Sequence, residues 1–305
     1  MAHIGIRLID ETSPLNSATR KSGVVFDSSQ IILCDDIAVE LLDLWHSMEF
    51  PATAWSEPPS EFELLESEVV IWRAALDCEQ SVLRRLEATL SPDERSRANR
   101  FHFCKDRDHF IAGRGILRSL IGSYLRRDPA EIKFGYGPQG KPDLAVDRAD
   151  PSLTFNLSHK QGLAVYAFAR ERQLGIDLEA VASSFPGEDI ARRFFSPGEV
   201  EELLALPPDL RSKGFFLAWT RKEAYIKARG HGLQIPLDSF DVSLTPGRPP
   251  RLLTRVGIEW QIISFEVGPD TPGALVFDGS QASAIHFFEW RPPSQVETHR
   301  MSNSD

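Results

Sequence analysis

The sequence predicts an α+β fold made of two halves. Three observations carry that expectation. A strong helix-start signal occurs once in each half, as Ser91-Pro92-Asp93-Glu94 and as Ser196-Pro197-Gly198-Glu199. Each signal is followed by helical patterning and then by segments that read as antiparallel strands, which suggests internal pseudo-symmetry. The 305 residues are 42% hydrophobic and 26% charged, enough for one large core or two modest ones.

The elements follow in order. From Met1 to Ser67 the pattern is weakest. Within it, Ile37–Trp45 reads as one short helix, and the Pro- and Ser-rich stretch Phe50–Ser60 reads as a linker. Residues 1–67 are therefore expected to be a partly ordered N-terminal extension. Glu68–Leu76 is the first strand of the main body. Ser91 is a good N-cap, Pro92 suits the first helical position, and Glu94 closes a capping box. A longer helix then carries Phe110, Leu117, Ile121 and Tyr124 on one face, interrupted or flanked by Arg114 and Arg118. Phe155–His159 leads into the apolar strand Leu163–Ala169, which Arg170–Gln173 turns back into Leu174–Glu179 as a hairpin.

The second half starts over. Ser196 opens a helix over Val200–Leu206, and a second helix spans Trp219–Arg229, closed by Gly230 and Gly232. Strands at Phe240–Leu244, Gln261–Val267 and Ala284–Trp290 complete it. The expected divisions are 1–67, 68–177, 178–290 and a polar tail at 291–305.

The formal charge of −10 argues against a protein that grips a nucleic-acid backbone. Cys34, Cys78 and Cys104 form neither a metal-ligand spacing nor a disulfide framework, so a reducing cytoplasm is expected. No leader-like block opens the chain, and no apolar run has the length to span a bilayer.

Two short motifs carry the chemistry. In Gly175-Ile176-Asp177-Leu178-Glu179, read as a strand end, Asp177 and Glu179 face the same way. In Trp219–Lys227, read as a helix, Glu223 and Lys227 lie one turn apart on one face. If the two faces meet, three carboxylates and an ammonium converge. That set suits a hard divalent cation, with a lysine at hand for cleavage of a phosphate ester or pyrophosphate. Each acid read alone could equally be a solvated surface carboxylate. Glu223 and Lys227 alone could be a helix ion pair worth ~0.3–0.5 kcal/mol.

Two other motifs carry weaker signals. Gly135–Lys141 has the glycine and lysine spacing of a P-loop, but Pro142 stands where a magnesium-binding Ser or Thr is required. A glycine-rich turn presenting Lys141 to a phosphate remains open, as does an ordinary exposed turn. Ser158 and His159 are neighbours in an extended segment and point to opposite faces, so they suit a ligand-contacting loop better than a nucleophile–base pair.

The motifs Gly140-Lys141-Pro142, Phe155–His159, Gly175–Glu179, Arg193–Ser196 and Trp219–Lys227 occur in order, extended by Gly230–Leu233 and Pro236–Phe240. In this they resemble the 4′-phosphopantetheinyl transferases of the surfactin-synthetase-activating type, over roughly Val69 to Trp290. The resemblance implies a monomeric pseudo-dimer of two similar α/β halves with coenzyme A in the cleft between them. It implies transfer of the phosphopantetheine arm to a serine of an acyl- or peptidyl-carrier protein, releasing adenosine 3′,5′-bisphosphate. By position, Asp177, Glu179 and Glu223 would hold Mg²⁺ or Mn²⁺. Glu223 would also be the candidate base for the carrier serine, and Lys227 would steady or protonate the leaving phosphate. Lys141, Ser158, His159, Lys222 and Arg97 would contact coenzyme A. The first 67 residues have no counterpart in the compact members of that family.

Two rival functions use the same residues. A metal-dependent nuclease would want its Glu and Lys two apart on one strand, and a basic face. A non-catalytic coenzyme A or carrier-binding protein has no need of the complete acid–lysine set.

Overall fold

A strand buried on both faces needs a layer on each side, and Glu68–Ala75 (β4) is such a strand. Val70, Trp72 and Ala74 enter one core while Val69 and Ile71 enter another. Leu163–Arg170 (β8) splits the same way, Ala164, Tyr166 and Phe168 against Val165, Ala167 and Ala169. These near-continuous apolar runs mark the centre of a layered fold rather than its surface.

The computed structural model describes residues 5–8, 25–27, 30–33, 53–59, 61–137, 139–145, 152–182, 187–230, 234–253, 258–279 and 282–292. The expected helix Ile37–Trp45, Cys34, the cap residue Gly232 and the tail beyond 292 lie outside them. The chain divides into two units, Met1–Phe50 and Pro51–Asp305. In the first, Gly5–Leu8 (β1) pairs parallel with Gln30–Leu33 (β3), and Val25–Asp27 (β2) pairs antiparallel with β3.

The second unit holds two main sheets. In the first sheet, β4 and Leu153–Lys160 (β7) flank β8 antiparallel, and Ala284–Glu289 (β14) pairs parallel with the outer edge of β4. In the second, Trp260–Gly268 (β12), Thr271–Asp278 (β13) and Leu174–Leu178 (β9) are antiparallel in that order. The sheets pack face to face: Val69, Ile71, Val165, Ala167 and Ala169 of one meet Leu174, Ile176, Leu178, Phe265 and Leu275 of the other.

Helices cover both outer faces. Gln80–Ala88 (α1), Pro92–Ala98 (α2) and Cys104–Leu125 (α3) close the first core through Leu86, Ile116, Leu120 and Tyr124. Gly187–Phe194 (α4), Pro197–Ala205 (α5) and Pro208–Arg229 (α6) close the other, with Ala224, Tyr225 and Ala228 against Ala274 and Val276. The result is a mixed α/β fold, helix–sheet–sheet–helix. Small pairs Phe134–Tyr136 (β5) with Pro142–Leu144 (β6), and Asp241–Val242 (β10) with Leu252–Leu253 (β11), sit outside the main sheets.

Four sequence expectations are corrected. The segments β8 and β9 are no hairpin: both edges of β8 are taken by β4 and β7, so the chain crosses at 171–173 and β9 pairs with β13 instead. The last strand, β14, leaves the second half and completes the first sheet. The central strand β13 is not among the expected strands, and it opens on Thr271 followed by Pro272-Gly273, a dipeptide that more often marks a turn. Here Gly273 leaves room for the Phe265 ring on the neighbouring strand. Finally, residues 53–59 are packed and not a linker. Trp55 donates to the Glu266 carbonyl, Ser56 bridges to Phe288, and Trp55 stacks edge-on against Phe265 and Phe287.

Candidate functional site

Strand alternation sets up the site. On β9, Leu174, Ile176 and Leu178 enter the core between the sheets. The intervening Gly175 and Asp177 must therefore face α6. The helix comes so close that a Cβ on Gly175 would overlap the Ala224 carbonyl oxygen and the Ala228 amide nitrogen. A glycine is required there by the approach of another backbone. That contact fixes Glu223 and Lys227, which flank it on the helix, over Asp177.

The edge strand β7 meets β9 from the other sheet through alternate side chains. Asn156 Oδ1 accepts the Ile176 N–H at 2.9 Å. Ser158 Oγ donates to Asp177 Oδ1 at 2.8 Å. Lys160 Nζ lies 2.7 Å from Glu179 Oε2. Residues two apart share a face of a strand, so these three contacts form a ladder across the seam. The sequence reading missed Asn156 and Lys160. Their period-two spacing with Ser158 was the available signal, but which strand they would meet was not readable.

The ammonium of Lys227 completes the seam. It donates to Asp177 Oδ1 at 2.6 Å, to Ser158 Oγ at 2.9 Å and to the Ile176 carbonyl at 3.2 Å. Burial, and then the charge of Asp177, raise the Glu223 carboxyl above the ordinary range; Glu179 adds to this and Lys227 opposes it. Glu223 on α6 therefore feels the charge of both acids at the end of β9.

Among the described residues, no three acidic, His or Cys side chains close into a metal cage. Two of the acids are drawn onto lysines instead, Asp177 onto Lys227 and Glu179 onto Lys160. Yet Asp177 Oδ2 is buried with no hydrogen-bond partner. An orphaned buried carboxylate oxygen, with Glu223 coupled to it and to Glu179 through charge, is the donor chemistry that a hard divalent cation takes.

Other expected site residues lie differently. Lys222 is fully buried and points away from the site. Its ammonium pairs with Glu199 at 2.7 Å, donates to the Leu237 and Phe240 carbonyls, and sits over the Phe240 ring. It cannot contact coenzyme A from there, which corrects that expectation: helix periodicity turns Lys222 into the core while Glu223 faces the seam. Lys141 is half-buried, its ammonium donating to the Leu174 carbonyl at 3.0 Å and the Lys227 carbonyl at 2.8 Å. Burial lowers its pKa, and Lys227 adds to that. His159 is on the face of β7 opposite Ser158. Partial burial, then Lys227 and His109, hold its imidazole below the usual value. Arg97 is exposed on α2 over the Phe110 ring.

Comparison with known proteins gives a consistent result. A family model described as 4′-phosphopantetheinyl transferase, N-terminal, matches residues 76–171, and the 4′-phosphopantetheinyl transferase superfamily model matches 173–285. The join between them falls in the crossing from β8 to β9. The 4′-phosphopantetheinyl transferase HetI of Nostoc sp. is 44% identical over 238 residues, 78% of this chain and 96% of that protein. The 4′-phosphopantetheinyl transferase Sfp of Bacillus subtilis is 35% identical over 52% of this chain and 69% of its own length. A holo-(acyl-carrier-protein) synthase from Bacillus anthracis, solved with CoA (3′,5′-ADP), aligns with a TM-score of 0.30 and 20% identity over 35% of this chain and 96% of that one. That overlap is too slight to bear on the site. On the match to HetI along nearly its whole length, the chain belongs to the 4′-phosphopantetheinyl transferase superfamily.

Proposed function

We propose that the seam between β7, β9 and α6 is the active site of a Mg²⁺-dependent transferase acting on coenzyme A and a carrier protein. The chain is a 4′-phosphopantetheinyl transferase by family. The reading of this particular site is carried by one observation: Lys227 joins Asp177 to Ser158 beside an orphaned Asp177 oxygen.

In the proposed reaction, the hydroxyl oxygen of a carrier serine attacks the pantetheine-side phosphorus of coenzyme A. A new P–O bond forms, the bond from that phosphorus to the bridging pyrophosphate oxygen breaks, and adenosine 3′,5′-bisphosphate leaves. The serine proton needs an acceptor, and Glu223 is the carboxylate whose pKa is raised toward that task. Lys227 supplies positive charge, and a proton, to the leaving phosphate. Asp177, Glu179 and Glu223 would hold Mg²⁺ or Mn²⁺, which when bound offsets the charge that develops on the pyrophosphate. Ser158, His159, Lys141 and Arg97 are the proposed coenzyme A contacts. Lys141 also ties the α6 end to β9.

We read the two helix-on-sheet layers as a pseudo-dimer within one chain, working as a monomer in the cytoplasm. No helix among the described residues is long and apolar enough to cross a membrane. The test is intact-protein mass spectrometry of an apo carrier domain incubated with this protein, coenzyme A and Mg²⁺. The expected result is a gain of one phosphopantetheine, lost with EDTA or with Glu223→Gln. No gain on fatty-acid, polyketide and peptide carriers alike would overturn the reading.

A further inference from the structure

The last residue of β7 is aimed by the backbone. Lys160 shares its face with Asn156 and Ser158, both of which reach β9. Its ammonium meets Glu179 Oε2 at 2.7 Å, although the lysine side chain is 44% exposed and the carboxylate 18%. An ion pair this open adds little to stability. Its place in the molecule is more informative than its strength. It mirrors the pair that Lys227 makes with Asp177 across the same seam. Asp177 and Glu179 are thus each held by a tethered ammonium group, and one buried oxygen of Asp177 is left over.

We propose that Lys160 is a positioning residue that competes with a divalent cation for Glu179. It holds that carboxylate at the seam while the cation is absent, and it must let go when the cation arrives. The tethered ammonium therefore weakens the cation's affinity. This rests on the reading that Glu179 is a cation ligand.

The test is a Mn²⁺ titration followed by electron paramagnetic resonance, without coenzyme A, on the wild type, Lys160→Met and Lys160→Arg. Breaking a partly exposed pair worth up to ~1 kcal/mol should tighten Mn²⁺ binding in Lys160→Met by about three- to fivefold. Lys160→Arg, which keeps the pair, should stay near the wild type. In a Glu179→Gln background, Lys160→Met should change nothing. Equal Mn²⁺ affinity in the wild type and Lys160→Met would overturn the role of Lys160 alone, as would the same tightening in the Glu179→Gln background. A wild type that binds no Mn²⁺ would overturn the cation reading itself, and this inference with it.

Discussion

Gly175 and Ala224 meet backbone to backbone, with no room for a side chain between β9 and α6. Every catalytic distance proposed above depends on that approach, because Asp177 lies two residues beyond Gly175 and Glu223 immediately precedes Ala224.

Gly175→Ala should force the helix off the strand. An added methyl in a packed interior typically costs ~1–3 kcal/mol, and here it would meet main chain that cannot rotate aside. The thermal midpoint should fall, and transfer at a temperature where the variant is folded should fall further. Wild-type transfer in a folded Gly175→Ala variant would show that the Glu223–Asp177 spacing is not critical.

Lys222→Met should destabilise the protein without changing the apparent KM for coenzyme A. Removing one partner of a buried pair strands the other, here Glu199, at a cost of about 3–5 kcal/mol. Glu199 already accepts from the Ser196 and Val242 amides, so the loss should spread to the start of α5 and to β10. Denaturant melts and coenzyme A kinetics measure the two effects separately. A raised KM in fully folded protein would return Lys222 to the binding site.

Asn156→Ala should loosen the seam between the sheets, since it leaves the buried Ile176 amide without its acceptor. A lost buried partner costs ~1–3 kcal/mol. Asn156→Asp keeps an acceptor oxygen at the same place but buries a new carboxyl, so it should recover that stability only at a pH where the carboxyl holds its proton. Hydrogen exchange at the Ile176 amide is the direct readout, with fast exchange expected only in the alanine variant.

Glu223 links pH to both stability and rate. Its carboxyl is raised by burial and by Asp177. The folded state therefore holds its proton to higher pH than the unfolded chain does. In metal-free buffer, its contribution to stability should decline as pH rises from the ordinary carboxylate range through the raised value. Glu223→Gln should remove that decline and increase the thermal midpoint at neutral pH, while transfer drops ~10²–10⁴-fold. An unchanged midpoint in Glu223→Gln would show that its burial carries no such cost.

Local rules made part of this molecule legible. The capping box at Ser196 is present in both directions, with Glu199 Oε2 accepting the Ser196 amide and Ser196 Oγ accepting the Glu199 amide. Strand and helix periodicity placed Asp177, Glu223 and Lys227 on faces that do meet. Pairing between distant segments was not legible. Nothing in Ala284–Glu289 says that it will lie parallel to β4. Helix α6 starts at Pro208, well before the aromatic motif that marked it, because its first turns bury Phe215 and Phe216 against segments not yet placed. The lysines were hardest. Lys141, Lys160 and Lys222 look alike in sequence, yet one ties down carbonyls, one meets a carboxylate at the rim and one is sealed in the core. Long flexible side chains take their roles from whichever acceptors the tertiary fold brings near.

The parallel pairing of β14 with β4 sets an order for biosynthesis. A ribosome releases β4, β7 and β8 early, but the outer edge of β4 has no strand to receive until the chain has been made through residue 289. Until then a nascent chain presents an apolar strand with its hydrogen-bonding groups bare, the state most open to wrong partners. Translation stalled between 170 and 284 should therefore leave an aggregation-prone chain.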